Sequence, residues 1–85
     1  MLVGVKHKIE NPEKFWGAAQ ESIPNAPEGI KLIQAFPNKT MDSAICLWES
    51  PSVQALKDFV EPQVKDISDN EYFEVNTENA IGLPS

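Results

Sequence analysis

The sequence predicts an α+β domain of the ferredoxin-like kind, with strand–helix–strand–strand–helix–strand order and both helices on one face of a four-stranded antiparallel sheet. Three observations predict it. Each half of the chain pairs a strand-like run with a helix-start signal, a polar hairpin-like stretch separates two apolar runs in the middle, and 85 residues leave room for one core only. The whole chain, 1–85, is therefore read as a single domain.

Residues 2–9 alternate, placing Val3, Val5, His7 and Ile9 on one side and Leu2, Gly4, Lys6 and Lys8 on the other. Asn11-Pro12-Glu13 then presents a capping side chain, a proline at the first helical position and an acid in the first turn. The predicted helix runs to about Ser22, with Phe15, Trp16, Ala19 and Ile23 in one apolar stripe. Pro24, Pro27 and Gly29 stop it. Residues 30–36 and 43–49 are apolar runs joined by the polar loop 37–42, and are expected to pair antiparallel.

Ser50-Pro51-Ser52 repeats the start signal, and Val53, Leu56, Val60, Val64 and Ile67 share the next helical face. Pro62 lies inside that helix, so a break or kink is expected near Glu61 with a short turn beyond it. Asp69-Asn70 is read as the end of the element, and residues 72–77 as the last strand. Residues 78–85 carry too little pattern to assign.

Both sides of the later strands carry apolar residues: Ile45 and Leu47 lie opposite Ala44, Cys46 and Trp48, while Ile30, Leu32 and Phe36 lie opposite Ile33 and Ala35. A sheet covered on one side only shows clean alternation, so the second side is expected to be buried too. A homodimer through the open sheet face would do this, and would supply the stability that so short a chain lacks.

Thirteen acidic residues against seven lysines give a formal charge of -6, and arginine is absent. No nucleic-acid partner is expected, because phosphate backbones are held by clustered Lys and Arg, and no anionic membrane surface for the same reason. No apolar run approaches a membrane span, and the first eight residues lack a secretory pattern, which points to the cytoplasm. Cys46 is the only cysteine and His7 the only histidine, so neither an intramolecular disulfide nor a four-ligand zinc site from one chain is available.

The run Cys46-Leu47-Trp48-Glu49-Ser50-Pro51-Ser52-Val53-Gln54-Ala55, followed by Glu71-Tyr72-Phe73-Glu74-Val75, resembles the second half of small dimeric α+β barrel proteins, mostly domains of unknown function. It is similar to a family of short bacterial domains with a nickel-binding member. The resemblance implies a dimeric α+β barrel. In the metal-binding relatives, histidines in and after the second helix belong to the ligand set; residues 53–68 contain none, so no metal and no other cofactor is expected. The wider superfamily includes cofactor-free monooxygenases and heme-handling enzymes, so the fold permits chemistry without specifying it.

Five residues stand out as site candidates. His7 shares an apolar face, where its ring must find a hydrogen bond either as structure or as an acid–base group, and it is the one catalytic candidate. Trp48, at the end of a central strand, and Trp16, on the first helix, are core residues that can also wall a cavity. Tyr72 and Glu74 share one side of the last strand, and either that side or the side of Phe73 and Val75 can face the core. Cys46 reads as a buried hydrophobe. No phosphate loop or nucleophile elbow is present.

The resulting expectation is a binding or accessory module for a small apolar molecule. The alternatives are a cofactor-independent monooxygenase or isomerase with His7 as acid or base, and a protein-interaction module without a cavity.

Overall fold

The computed structural model describes residues 1–83; Pro84 and Ser85, the end of the domain assigned from sequence, lie outside the described residues. The elements follow the order β1 (Leu2–Ile9), α1 (Pro12–Ser22), a 3-10 turn (Ile23–Asn25), β2 (Lys31–Pro37), β3 (Ser43–Glu49), α2 (Val53–Val64) and β4 (Ser68–Glu74). The strands form one antiparallel sheet in the order β2-β3-β1-β4, the ferredoxin-like arrangement.

Each helix starts where its cap stands. The side chain of Asn11 accepts from Lys14 N at 3.2 Å and that of Ser52 from Ala55 N at 3.0 Å, satisfying amides that have no partner inside the helix. Ser50, buried beside the second cap, donates its hydroxyl to Ser52 O at 2.8 Å. The β2–β3 loop is held by Asn38, which bonds Thr40, Asp42 and Ser43 N through its side chain, and Met41 takes a positive φ of 65° within it.

The core lies between the sheet and the helices. Val3, Val5, His7 and Ile9 of β1 point into it, as alternation predicts, and meet Phe15 of α1, Ala44, Cys46 and Trp48 of β3, and Leu56, Val60 and Val64 of α2. Register puts Ser68, Asn70, Tyr72 and Glu74 of β4 on this same side, opposite Ile9, His7, Val5 and Val3.

Three elements differ from the sequence reading. A bulge at Ile33 shifts the β2–β3 register between Leu32 and Gln34, so Leu32 and Ala35 both face the helices and Phe36 faces away; simple alternation puts Leu32 with Phe36 because it has no extra residue in it. Helix α2 is one segment through Pro62, with no break at Glu61. Pro62 sits in the last turn at an exposed position, where the carbonyl it leaves without a partner can bond water.

β4, in turn, begins at Ser68, four residues before the predicted start. The reversal that Asp69-Asn70 suggested is made instead by Lys65 (φ -55, ψ 132) and Asp66 (φ 62), closed by Ile67 N to Val64 O at 2.9 Å, a type II turn.

The other side of the sheet is open and mixed. Phe36, Ile45 and Phe73 are 59%, 54% and 53% exposed there. The Phe73 ring lies so close over Gly4 that a Cβ at Gly4 would collide with it, which gives this strand glycine a purpose. Around them Lys6 stands opposite Glu71, Lys8 opposite Asp69 and Lys31 opposite Glu49 in the register of neighbouring strands.

Candidate functional site

Two features meet at His7: a chain of polar side chains on its β4 side and an apolar cleft on the other. The ring is 5% exposed, and burial on a hydrophobic face requires a partner for its nitrogens. β4 supplies one. His7 Nδ1 lies 2.5 Å from Asn70 Oδ1, because the register sets Asn70 directly opposite His7.

The neighbours of Asn70 decide its orientation. Its Nδ2 donates to Glu61 Oε2 at 2.6 Å, and its Oδ1 accepts from Ser68 Oγ at 2.9 Å. An amide turned the other way would set an oxygen against the Glu61 carboxylate, so Oδ1 is the atom facing His7 and the neutral imidazole carries its hydrogen on Nδ1. Nε2 is then a lone-pair acceptor, and no hydrogen bond from the described residues reaches it. Tyr72 completes the chain by donating its hydroxyl to the same Glu61 Oε2 at 2.7 Å.

The electrostatics match. Burial, the largest influence, lowers the His7 pKa from 6.5, against smaller upward pulls from the Asn70 hydrogen bond and the Glu61 charge, so the ring is neutral near pH 7. Tyr72 is pushed far up by burial and then by Glu61, and remains a hydroxyl donor. The Cys46 thiol is pushed up to about 11 by burial alone, which leaves it unreactive near neutral pH.

The cleft opens between α1, α2 and the sheet. His7 and Phe15 line one part of it, and Trp16, Leu32, Trp48 and Phe59 much of the rest. Its walls are aromatic pairs in edge contact: His7 with Phe15 at 5.0 Å, Phe15 with Trp16 at 4.9 Å, and Trp48 with Phe59 at 6.0 Å. Its volume is about 50 Å³. It is thus a slot for the end of a small molecule rather than a closed chamber.

One polar group of a lining residue is packed inside without a partner. Trp48 is 5% exposed, and its Nε1 is fully buried without a hydrogen bond among the described residues. Trp16 Nε1, by contrast, donates to Met41 O at 3.2 Å and ties α1 to the β2–β3 loop.

Of the five candidates read from sequence, His7, Trp16 and Trp48 come together around the cleft. Tyr72 faces the helices and reaches Glu61, whereas Glu74, opposite Val3, is exposed on the edge strand and joins neither the cleft nor the polar chain. The residue that takes the orienting role is Glu61, with Asn70 between it and His7. Neither was singled out from sequence. Alternation carried back from Tyr72 through Asn70 to Ser68 would have found one of them.

Compared with known proteins, the chain matches no protein-family model, no curated protein and no solved structure at a significant level. What the structure shows of the resemblance is the ferredoxin-like α+β fold alone. Among the described residues no group of three or more His, Cys, Asp and Glu is placed to hold a metal ion, and no helix is long and apolar enough to cross a membrane.

Proposed function

We propose that this chain is a cytoplasmic, homodimeric α+β barrel module that holds a small, mostly apolar molecule in the cleft between its helices and sheet. The observation that carries this reading is the aromatic slot around which His7, Trp16 and Trp48 come together.

Dimerisation through the open sheet face is supported by its chemistry. Phe36, Ile45 and Phe73 sit among three lysines and three acids that balance, so the whole net charge of -6 falls on the remaining surface. That makes the open face the part of the molecule that a second, equally acidic copy approaches without repulsion.

A second reading is supported by a separate observation. A neutral His7 whose Nδ1–H is held by Asn70, with no hydrogen bond from the described residues at Nε2, is arranged as a general base, which suits a cofactor-independent monooxygenase or isomerase. Its oriented imidazole distinguishes it from a packed histidine with a backbone partner, the arrangement expected of a module without a site.

Titration with toluene, followed through the indole N–H resonances of Trp16 and Trp48, tests the binding reading. Saturable shifts of the Trp48 and Trp16 signals with a dissociation constant of roughly 1 mM are expected for a ligand of this size. Unchanged indole resonances up to the solubility limit would remove the cleft as a site.

A further inference from the structure

The polar chain behind His7 restricts what the cleft accepts. Glu61 Oε2 takes hydrogens from both Tyr72 and Asn70, which fixes the Asn70 amide; Asn70 Oδ1, also bonded by Ser68, fixes the hydrogen of His7 on Nδ1. The two ring nitrogens point in widely diverging directions, so with Nδ1 turned to β4 the Nε2 lone pair is directed away from it. His7 also lines the cleft. An acceptor in a mostly apolar wall, where Ser22 and Gln63 are the other polar lining residues, discriminates between ligands that bring a hydrogen and ligands that do not.

We propose that the ligand is an uncharged, largely apolar molecule bearing a hydroxyl group, an alcohol or a phenol, whose O–H is donated to His7 Nε2, with Asn70 and Glu61 as positioning residues that keep that nitrogen an acceptor. The inference rests on the binding reading above and names the chemistry of the same site. A carboxylate ligand is disfavoured, because an ionised carboxyl brings no hydrogen to Nε2 and would be desolvated among aromatic rings. An ether or hydrocarbon of equal shape fills the slot but leaves Nε2 without a partner.

The test compares matched pairs by the same indole resonances: phenol against anisole and cyclohexanol against methoxycyclohexane, with toluene as the apolar reference. A single neutral hydrogen bond predicts that the hydroxyl member of each pair binds about 3- to 10-fold more tightly than its ether. Equal binding within both pairs, with toluene still bound, overturns the hydroxyl assignment and leaves the cleft reading intact; no binding by any probe overturns both.

The positioning role has its own readout in the imidazole nitrogen NMR signals of His7. In the unsubstituted protein near pH 7.5 they should report hydrogen on Nδ1 and a bare Nε2; the opposite tautomer, or a mixture, overturns the proposal without any variant. In Asn70→Leu the hydroxyl preference should disappear while toluene affinity is kept, and a preserved preference would show that Asn70 does not set it. Should that variant not fold, the nitrogen spectrum of the unsubstituted protein decides.

Discussion

Replacing Asn70 by alanine is expected to cost about 2–4 kcal/mol of folding stability, far more than a half-buried residue on an edge strand ordinarily costs. The figure comes from three hydrogen bonds lost together: from His7 at 2.5 Å, to Glu61 at 2.6 Å and from Ser68 at 2.9 Å. The two neutral bonds contribute about 1 kcal/mol each and the one to the carboxylate about 1.5–3 kcal/mol, reduced where water reaches the partly buried groups left behind. A chain of this length has about 4–13 kcal/mol in total, so the loss is large but survivable.

Urea unfolding at pH 7.5, followed by tryptophan fluorescence, should show it. With a slope of about 1 kcal/mol per molar urea, the midpoint should fall by roughly 2–4 M at unchanged slope. Asn70→Asp gives a sharper control: it keeps an oxygen toward His7 but sets a carboxylate against Glu61 where the amide NH2 donated, so at pH 8 it too should be destabilised. A loss below about 0.5 kcal/mol in the alanine variant, or an aspartate variant as stable as the parent at pH 8, would refute the assignment of the amide orientation and with it the His7 tautomer.

Two other outcomes follow from the same structure. The pKa of His7 is lowered in the folded state, chiefly by burial, so below about pH 6.5 the unfolded chain binds the extra proton first; its contribution to stability is complete above 6.5 and is lost as the pH falls from there through the lower folded value. Parallel unfolding of the parent and His7→Gln should show that loss in the parent alone, and an identical pH dependence in the two, with Glu61, Tyr72 and Cys46 the other titratable side chains near the ring, would contradict it. On the open face, Ile45→Lys should turn a dimer into a folded monomer in light scattering across a dilution series, since it adds a cation beside Lys6 and Phe36; a parent monomeric at every concentration would remove the barrel.

Much of the fold was legible because its signals are local. Asn11 and Ser52 cap the helices they announce, α1 ends at Ser22, β3 runs over Ser43–Glu49, and the alternation of β1 correctly sends His7 inward. The bulge at Ile33 was not legible, since nothing in the run 30–36 marks which residue is extra; that is set by pairing with β3. Asp69-Asn70 has the composition of a turn, yet Asn70 is held in a strand by a partner 63 positions away. Asparagine favours turns because its side chain bonds nearby backbone, and here that side chain is committed elsewhere.

The unread half of the site and the misread helix have one cause. Glu61 faces β4 only because α2 continues through it: it follows Val60 and precedes Val64 by three positions, which places it at the flank of the buried stripe, within reach of Asn70 and Tyr72. A break at Glu61, which Pro62 suggests, would carry the carboxylate off that flank and leave the Asn70 amide free to turn. The proline removes one amide in an exposed last turn, a loss that water can largely offset, whereas the bonds accepted by Glu61 are charge-assisted and partly buried. Those bonds outweigh the lost amide, the helix runs on, and the orientation of His7 follows from it.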